Sequence, residues 1–135
     1  MKQNSIGLGI DSVDIHRFAL WHTYSQKSLT RIFSSEEIKY CLSIPAKSAE
    51  RFAARFAVRE ALLKALRQAM PEAQIPLLRL CAAVQITTNS NSSPHLLIDW
   101  PVLNATSAPA IICLASWTHT ALTATAIVII FQDKS

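Results

Sequence analysis

Glu60 and Lys64 stand four residues apart in the run Phe52 to Leu66, FAARFAVREALLKAL, and therefore share one helical face, with Phe56 one turn before them. Arg55 and Arg59 add two more charges to a segment that is otherwise apolar on most sides. A helix of that kind is normally buried, and buried charges are costly unless they are paired or hold a ligand. The helix is therefore expected to line a site. Ala53, Ala57 and Ala61 are small enough to let a bulky ligand approach it. Taken alone, the segment is slightly better explained as an ordinary helix with an i,i+4 Glu–Lys pair for solubility.

A second carboxylate comes from the N-terminal segment. Ile6-Gly7-Leu8-Gly9-Ile10 alternates apolar residues with glycines and leads into Asp11. That alternation predicts a short strand delivering Asp11 at its end. Gly-x-Gly is weak evidence by itself, because Ser12 occupies the place where a dinucleotide fingerprint needs its third glycine. Helix capping at this point is the plain alternative for Asp11 and Ser12.

Four blocks, read together, narrow the choice: GLGIDSVDIHRF, then RIFSSEE (Arg31 to Glu37), then RFAARFAVREALLKAL, then SWTHTALTATAIVII. Their order and spacing resemble the holo-acyl-carrier-protein synthase family. The helix block is the most specific of the four and the C-terminal block the loosest. The resemblance implies an α+β fold of the 4′-phosphopantetheinyl transferase type, a mostly antiparallel sheet packed with a long central helix. It also implies a reaction, the transfer of 4′-phosphopantetheine from coenzyme A to a serine of an acidic acyl carrier protein, with release of 3′,5′-ADP. Such chemistry at a crowded, negatively charged phosphorus needs a divalent cation, cationic side chains and a placed hydroxyl.

Carried over residue by residue, Asp11 and Glu60 match the family's magnesium ligands, and Mg2+ suits hard carboxylate oxygens. Glu60, or a water beside it, is then the acceptor of the serine proton. Lys64 matches the lysine that reaches the pyrophosphate as a compact point charge. Arg17 and Arg55 match basic residues that bind the coenzyme's phosphates or organise the site. Ser116, His119 and Thr120 match a segment near the nucleotide. Arg17, Lys27 and Arg31 are also candidates for a basic face toward the carrier, although a solvated helix charge explains Arg17 equally well and a plain surface role fits Lys27 slightly better. The family's cytoplasmic homotrimers, with sites at subunit boundaries and a place in fatty acid biosynthesis, belong to the same set of expectations.

The chain departs from the family pattern at three places. Arg67-Gln68-Ala69-Met70-Pro71-Glu72 replaces a glycine-rich turn behind the central helix, which is therefore expected to run on by a turn. Ser92-Ser93-Pro94 replaces a Gly-x-Pro hairpin, and Arg59 replaces a lysine before the metal-binding glutamate. Gly7 and Gly9 are the only glycines in the chain. The missing glycines keep a second reading open, a non-catalytic carrier-protein or nucleotide-binding relative. A small basic nucleic-acid-binding domain ranks third, because the spacing of Phe18, Trp21 and Tyr24 suits a helix core better.

Length and composition agree with the resemblance without requiring it. The 135 residues, half of them hydrophobic, suit one domain over 1–135, and a net charge of +4 favours an anionic partner. Cys41, Cys81 and Cys113 are odd in number and lack metal-type spacing, so they are expected to be free packing thiols in a reducing cytoplasm. Neither a signal peptide nor a membrane span is expected. The uncharged stretch between Asp99 and Asp133 reads instead as two buried strands, about 110–115 and 122–131, joined around Ser116–Thr120.

The other expected elements are helices and one hairpin. One helix is expected over about Val13–Tyr24. Another should begin at Ser34-Ser35-Glu36-Glu37 and end before Pro45, and the central helix should begin after Ser48-Ala49-Glu50 and stop near Pro71. Val84–Thr88 and Leu96–Trp100 should form the hairpin.

Overall fold

The structure, a computed structural model, describes residues 6–88, 94–103 and 111–132. Strand β1 (Ile6–Asp14) pairs antiparallel with β5 (Thr123–Gln132), which pairs antiparallel with β4 (Ile111–His119), giving a sheet of order β1-β5-β4. A separate antiparallel ladder joins β2 (Val84–Thr88) to β3 (Pro94–Ile98). The helices are α1 (Gln26–Leu29), α2 (Ser35–Leu42), α3 (Ser48–Ala69) and α4 (Leu77–Ala83). This is the expected α+β arrangement around a long central helix. The residues connecting the β2–β3 hairpin, 89–93, lie outside the described residues.

Two glycines make the fold this tight. β1 lies directly on the backbone of α3, so that a Cβ at Gly9 would overlap the carbonyl oxygen of Ala61 and one at Gly7 that of Ala65. Two strand residues advance about 6.6 Å and four helical residues about 6.0 Å, so Gly-x-Gly keeps step with Ala61-x-x-x-Ala65. Ala57, Ala61 and Ala65 are fully buried. Ala53 is equally buried, so these alanines make room for packed backbone and side chains and not for the bulky ligand expected from the sequence.

α2 begins and both helices end as their sequence signals require, whereas α3 begins at Ser48, three residues earlier than expected. Ser34 and Glu37 form a reciprocal capping box, with the Glu37 N–H donating to Ser34 Oγ at 3.2 Å and the Ser34 N–H to Glu37 Oε2 at 2.9 Å. α2 ends before Pro45, and α3 continues to Ala69 with Pro71 just beyond. The expected extra turn of α3 is therefore present.

Three expectations about the elements are corrected. Val13–Tyr24 is not a helix: the alternation of β1 runs on through Asp14, and the chain then makes two 3-10 turns, Ile15–Phe18 and Trp21–Thr23. Pairing with β5 out to Asp14↔Thr123, followed by the Ile15 N–H bond to the Leu122 carbonyl at 2.8 Å, outweighs the local helical spacing. Asp11 accordingly sits inside a strand, neither at its end nor at a helix cap. Lastly, Ser116–His119 belong to β4, and the turn lies at Thr120–Leu122.

The C-terminal strands bury one face only. Ala124, Ala126, Val128 and Ile130 of β5 pack toward α3, whereas Ile127 and Ile129 join Leu8, Ile10, Ile112 and Leu114 on an exposed apolar outer face. The helix side of the molecule holds the core, in which Phe18, Trp21, Phe33, Phe52 and Phe56 form an aromatic cluster with neighbouring centroids 4.5–6.2 Å apart. The three cysteines are free, with Cys41 and Cys81 buried; burial pushes the Cys41 thiol up to about 12, against a partial offset from the Arg55 guanidinium, and Cys81 and Cys113 to about 11. Among the described residues, no helix is long and apolar enough to cross a membrane.

Candidate active site

One more step of the β1–α3 register carries Asp11 over the helical turn that begins at Ala57 and contains Glu60. Lys64 confirms the proximity. Its ammonium donates to Asp11 Oδ1 at 3.2 Å and to the Ile10 carbonyl at 2.9 Å while the side chain stays half exposed. The other Asp11 oxygen, Oδ2, is buried and has no hydrogen-bond partner among the described residues. Glu60 is half-buried one turn before Lys64. The guanidinium of Arg17 lies 5.1 Å from the Phe56 ring, one turn earlier still. Asp11, Arg17, Glu60 and Lys64 thus gather along one flank of α3.

A partnerless buried carboxylate oxygen is costly, and a hard cation is a fitting occupant beside it. Asp11 and Glu60 would supply hard oxygen donors. That donor set suits magnesium, which keeps several waters and takes few protein ligands.

A second cluster forms on the adjoining flank of α3, around a cavity of about 190 Å3. Arg55 is buried at 4 % exposure, its guanidinium held 4.6 Å from the Tyr40 ring and 5.5 Å from Trp117. Its Nε has no partner among the described residues. Arg51 stacks on Tyr40 at 4.0 Å and donates to the Tyr40 carbonyl at 2.8 Å. Lys47 and His119 line the same cavity, with His119 Nε2 3.1 Å from Glu50 Oε1. A buried Arg55 beside a stacked Arg51 at an open space favours an anion, and the planar guanidinium suits phosphate.

The structure therefore separates the residues that the sequence groups together. Asp11, Glu60, Lys64 and Arg17 share one cluster, and Arg55 and His119 share the other; no hydrogen bond or ion pair joins the two among the described residues. Thr120 is occupied by the turn, its hydroxyl accepting from the N–H groups of Leu122 and Thr123 at 3.1 Å each. Ser116 points to the opposite face of the sheet, where it borders a small cavity with Ile10 and Ile127. Lys27 and Arg31 are exposed on and after α1.

Arg59, which the sequence places beside the site, is instead a core residue. Fully buried, it donates to Glu37 Oε1 at 2.8 Å and Oε2 at 2.6 Å and to the Val84 carbonyl at 3.0 Å, tying α3 to α2 and β2. The capping-box glutamate Glu37 is the sequence signal that could have supplied its partner. Tyr40, Lys47, Arg51 and Trp117 are the cavity residues that sequence reasoning missed. They come from three elements and a connecting turn, and only Arg51 shows a helical offset, i,i+4 before Arg55.

Comparison with known proteins agrees with the fold. No curated protein sequence matches the chain. Its fold is similar to that of a Chronobacterium ammoniagenes ACPS–CoA complex at 23% identity, covering 96% of this chain and 98% of that one with a TM-score of 0.79. A Bacillus anthracis holo-(acyl-carrier-protein) synthase in complex with CoA (3′,5′-ADP) is similar at 20% identity, 97% and 100% coverage and a TM-score of 0.74. The Helicobacter pylori holo-[acyl-carrier-protein] synthase in complex with coenzyme A is similar at 26% identity, 91% and 98% coverage and a TM-score of 0.66. The sequence model of the 4′-phosphopantetheinyl transferase superfamily matches residues 7–126, from the first glycine of β1 to Ala126 opposite Asp11. The chain belongs to that superfamily, as a phosphopantetheinyl transferase of the holo-acyl-carrier-protein synthase type.

Proposed function

We propose that this single transferase domain uses coenzyme A as co-substrate and magnesium as cofactor, modifies a serine of an acidic acyl carrier protein, and releases 3′,5′-ADP. The observation that carries the proposal is the half-buried Asp11 carboxylate, with Oδ1 on Lys64 and a buried Oδ2 that has no hydrogen-bond partner among the described residues. Magnesium, when bound, supplies Lewis-acid stabilisation of the pyrophosphate oxygens. Asp11 and Glu60 would hold it. Lys64, already anchored to the β1 backbone, presents a fixed positive charge toward the phosphate that departs. Glu60 accepts the serine proton as the serine oxygen forms its bond to phosphorus. The bond that breaks joins that phosphorus to the oxygen leaving with 3′,5′-ADP. Arg17 and the Arg55–His119 cavity offer positive charge to the coenzyme's phosphates, and Arg17, Lys27 and Arg31 to the carrier's acidic surface.

A homotrimer completes the proposal. The exposed outer face carries Leu8, Ile10, Ile112, Leu114, Ile127 and Ile129, an apolar surface of the kind that marks an interface. Ser116 stands on that face, so any contact it makes with the coenzyme would be to a ligand held by a neighbouring copy. Three free thiols accord with a reducing cytoplasm.

The test is to incubate the purified protein with an apo acyl carrier protein, coenzyme A and magnesium and to follow the carrier's intact mass. Gain of one phosphopantetheine is expected, lost with chelator and in Asp11→Ala and Glu60→Ala, both of which should remain folded. Activity surviving either substitution would refute the metal assignment. No gain on a carrier that another synthase modifies would favour a binding-only relative.

A further inference from the structure

β1 is an edge strand: β5 takes one side, and no strand among the described residues takes the other. Two side chains of α3 reach round to that open side. The Leu8 N–H donates to Gln68 Oε1 at 2.9 Å, and Lys64 donates to the Ile10 carbonyl at 2.9 Å. The match is geometric, because outward-facing backbone groups recur every second strand residue, about 6.6 Å, and side chains on one helical face every fourth residue, about 6.0 Å. Lys64 and Gln68 therefore work as a pair of clamps two strand residues apart.

Asp11 follows Ile10 directly, so whatever fixes the edge at Leu8 and Ile10 fixes the carboxylate. Gln68 is within reach of Leu8 only because α3 continues to Ala69, through the Arg67-Gln68-Ala69 segment where the glycine-rich turn is missing. The departure from the family pattern thus supplies a contact that a turn at this point would not.

We propose that Gln68 is a positioning residue: its side-chain oxygen holds the free edge of β1 and thereby sets Asp11 against Glu60 and Lys64. The inference rests on the reading of Asp11 as a magnesium ligand. It predicts that loss of the Gln68 acceptor weakens use of magnesium without changing affinity for the coenzyme.

The experiment compares wild type with Gln68→Ala, Gln68→Met, which keeps length without an acceptor, and Gln68→Glu, which keeps an acceptor. Amide exchange at Leu8, which needs neither metal nor substrate, should accelerate about tenfold in the first two variants, the loss of one hydrogen bond. The magnesium concentration for half-maximal transfer should rise roughly three- to tenfold in the same variants with the coenzyme KM unchanged. Gln68→Glu should restore both. Unchanged exchange at Leu8 in Gln68→Ala overturns the clamp. Faster exchange with unaltered magnesium dependence overturns the positioning role, and so does a loss that raises the coenzyme KM and is not rescued by glutamate. Failure of the transferase reading would be visible separately, as an inactive wild type. Magnesium titration followed at the Asp11 amide by NMR then decides, with weaker binding in Gln68→Ala supporting the role and equal binding refuting it.

Discussion

Gly9→Ala tests the link between packing and site most directly. A Cβ at Gly9 would lie 2.7 Å from the Ala61 carbonyl carbon and 2.9 Å from the Ala65 nitrogen, besides overlapping the Ala61 oxygen. Carbon atoms rest at about 3.5–4.0 Å, so β1 must lift from α3 by roughly 1 Å. All three obstacles are helix backbone, which cannot rotate aside as a side chain can. Overpacking costs about 1–3 kcal/mol, and the upper end is expected here. The lift also stretches the 2.9 Å bond from Lys64 to Ile10 and displaces Asp11 from Glu60. Misplacement by about 1 Å can cost on the order of 100-fold in rate, and kcat should fall by that order. Urea denaturation and carrier phosphopantetheinylation provide the two readouts. Ala61→Gly should not rescue the variant, because the clash is with backbone. Gly9→Ala with stability within about 0.5 kcal/mol of wild type and activity within about twofold would refute the reasoning.

Three further outcomes are expected. Glu37→Ala strands the Arg59 guanidinium in the core and should cost about 3–5 kcal/mol by denaturant titration, whereas Glu37→Leu with Arg59→Met should recover most of it. Cys41 holds its proton more tightly folded than unfolded, so its contribution to stability is complete below about pH 9, where the unfolded thiol begins to ionise, and is lost as pH rises toward about 12; urea midpoints measured from pH 8 to 11 should fall, and fall less in Cys41→Ala. Leu114→Glu with Ile129→Glu places charge on the exposed outer face and should yield monomers by sedimentation, with transfer reduced at the same time.

The sequence disclosed most where structure is set by neighbouring residues. Ser34 and Glu37 announced the start of α2, Pro71 the end of α3, and the alternation around Gly7 and Gly9 a strand leading to Asp11. Val13–Tyr24 misled because Val13, Phe18, Leu20 and Trp21 fit a helical period, while pairing with β5 more than a hundred residues away decided the outcome. The short α4 has neither a capping side chain nor an acidic first turn to announce it. Of the candidate site, Asp11 and Lys64 stand in the motif and form an ion pair, and Arg55 and His119 line one cavity. Tyr40, Lys47 and Trp117 were not legible, since only the folded chain brings a helix, a turn and a strand around one opening.

The alternation of β1 gives each parity of residue its own task. Gly7, Gly9, Asp11 and Val13 look toward α3, and Leu8, Ile10 and Ser12 look away from it. Inserting or deleting one residue before Asp11 would exchange the two sets, turning the carboxylate outward and driving leucine and isoleucine into a space that admits only glycine. Substitutions at Leu8 and Ile10 can drift so long as they stay apolar, but the length of the segment cannot. In an insertion–deletion scan, β1 should therefore behave as a segment of fixed length whose sequence varies at every second position, a pattern that distinguishes it from the loops on either side of α2.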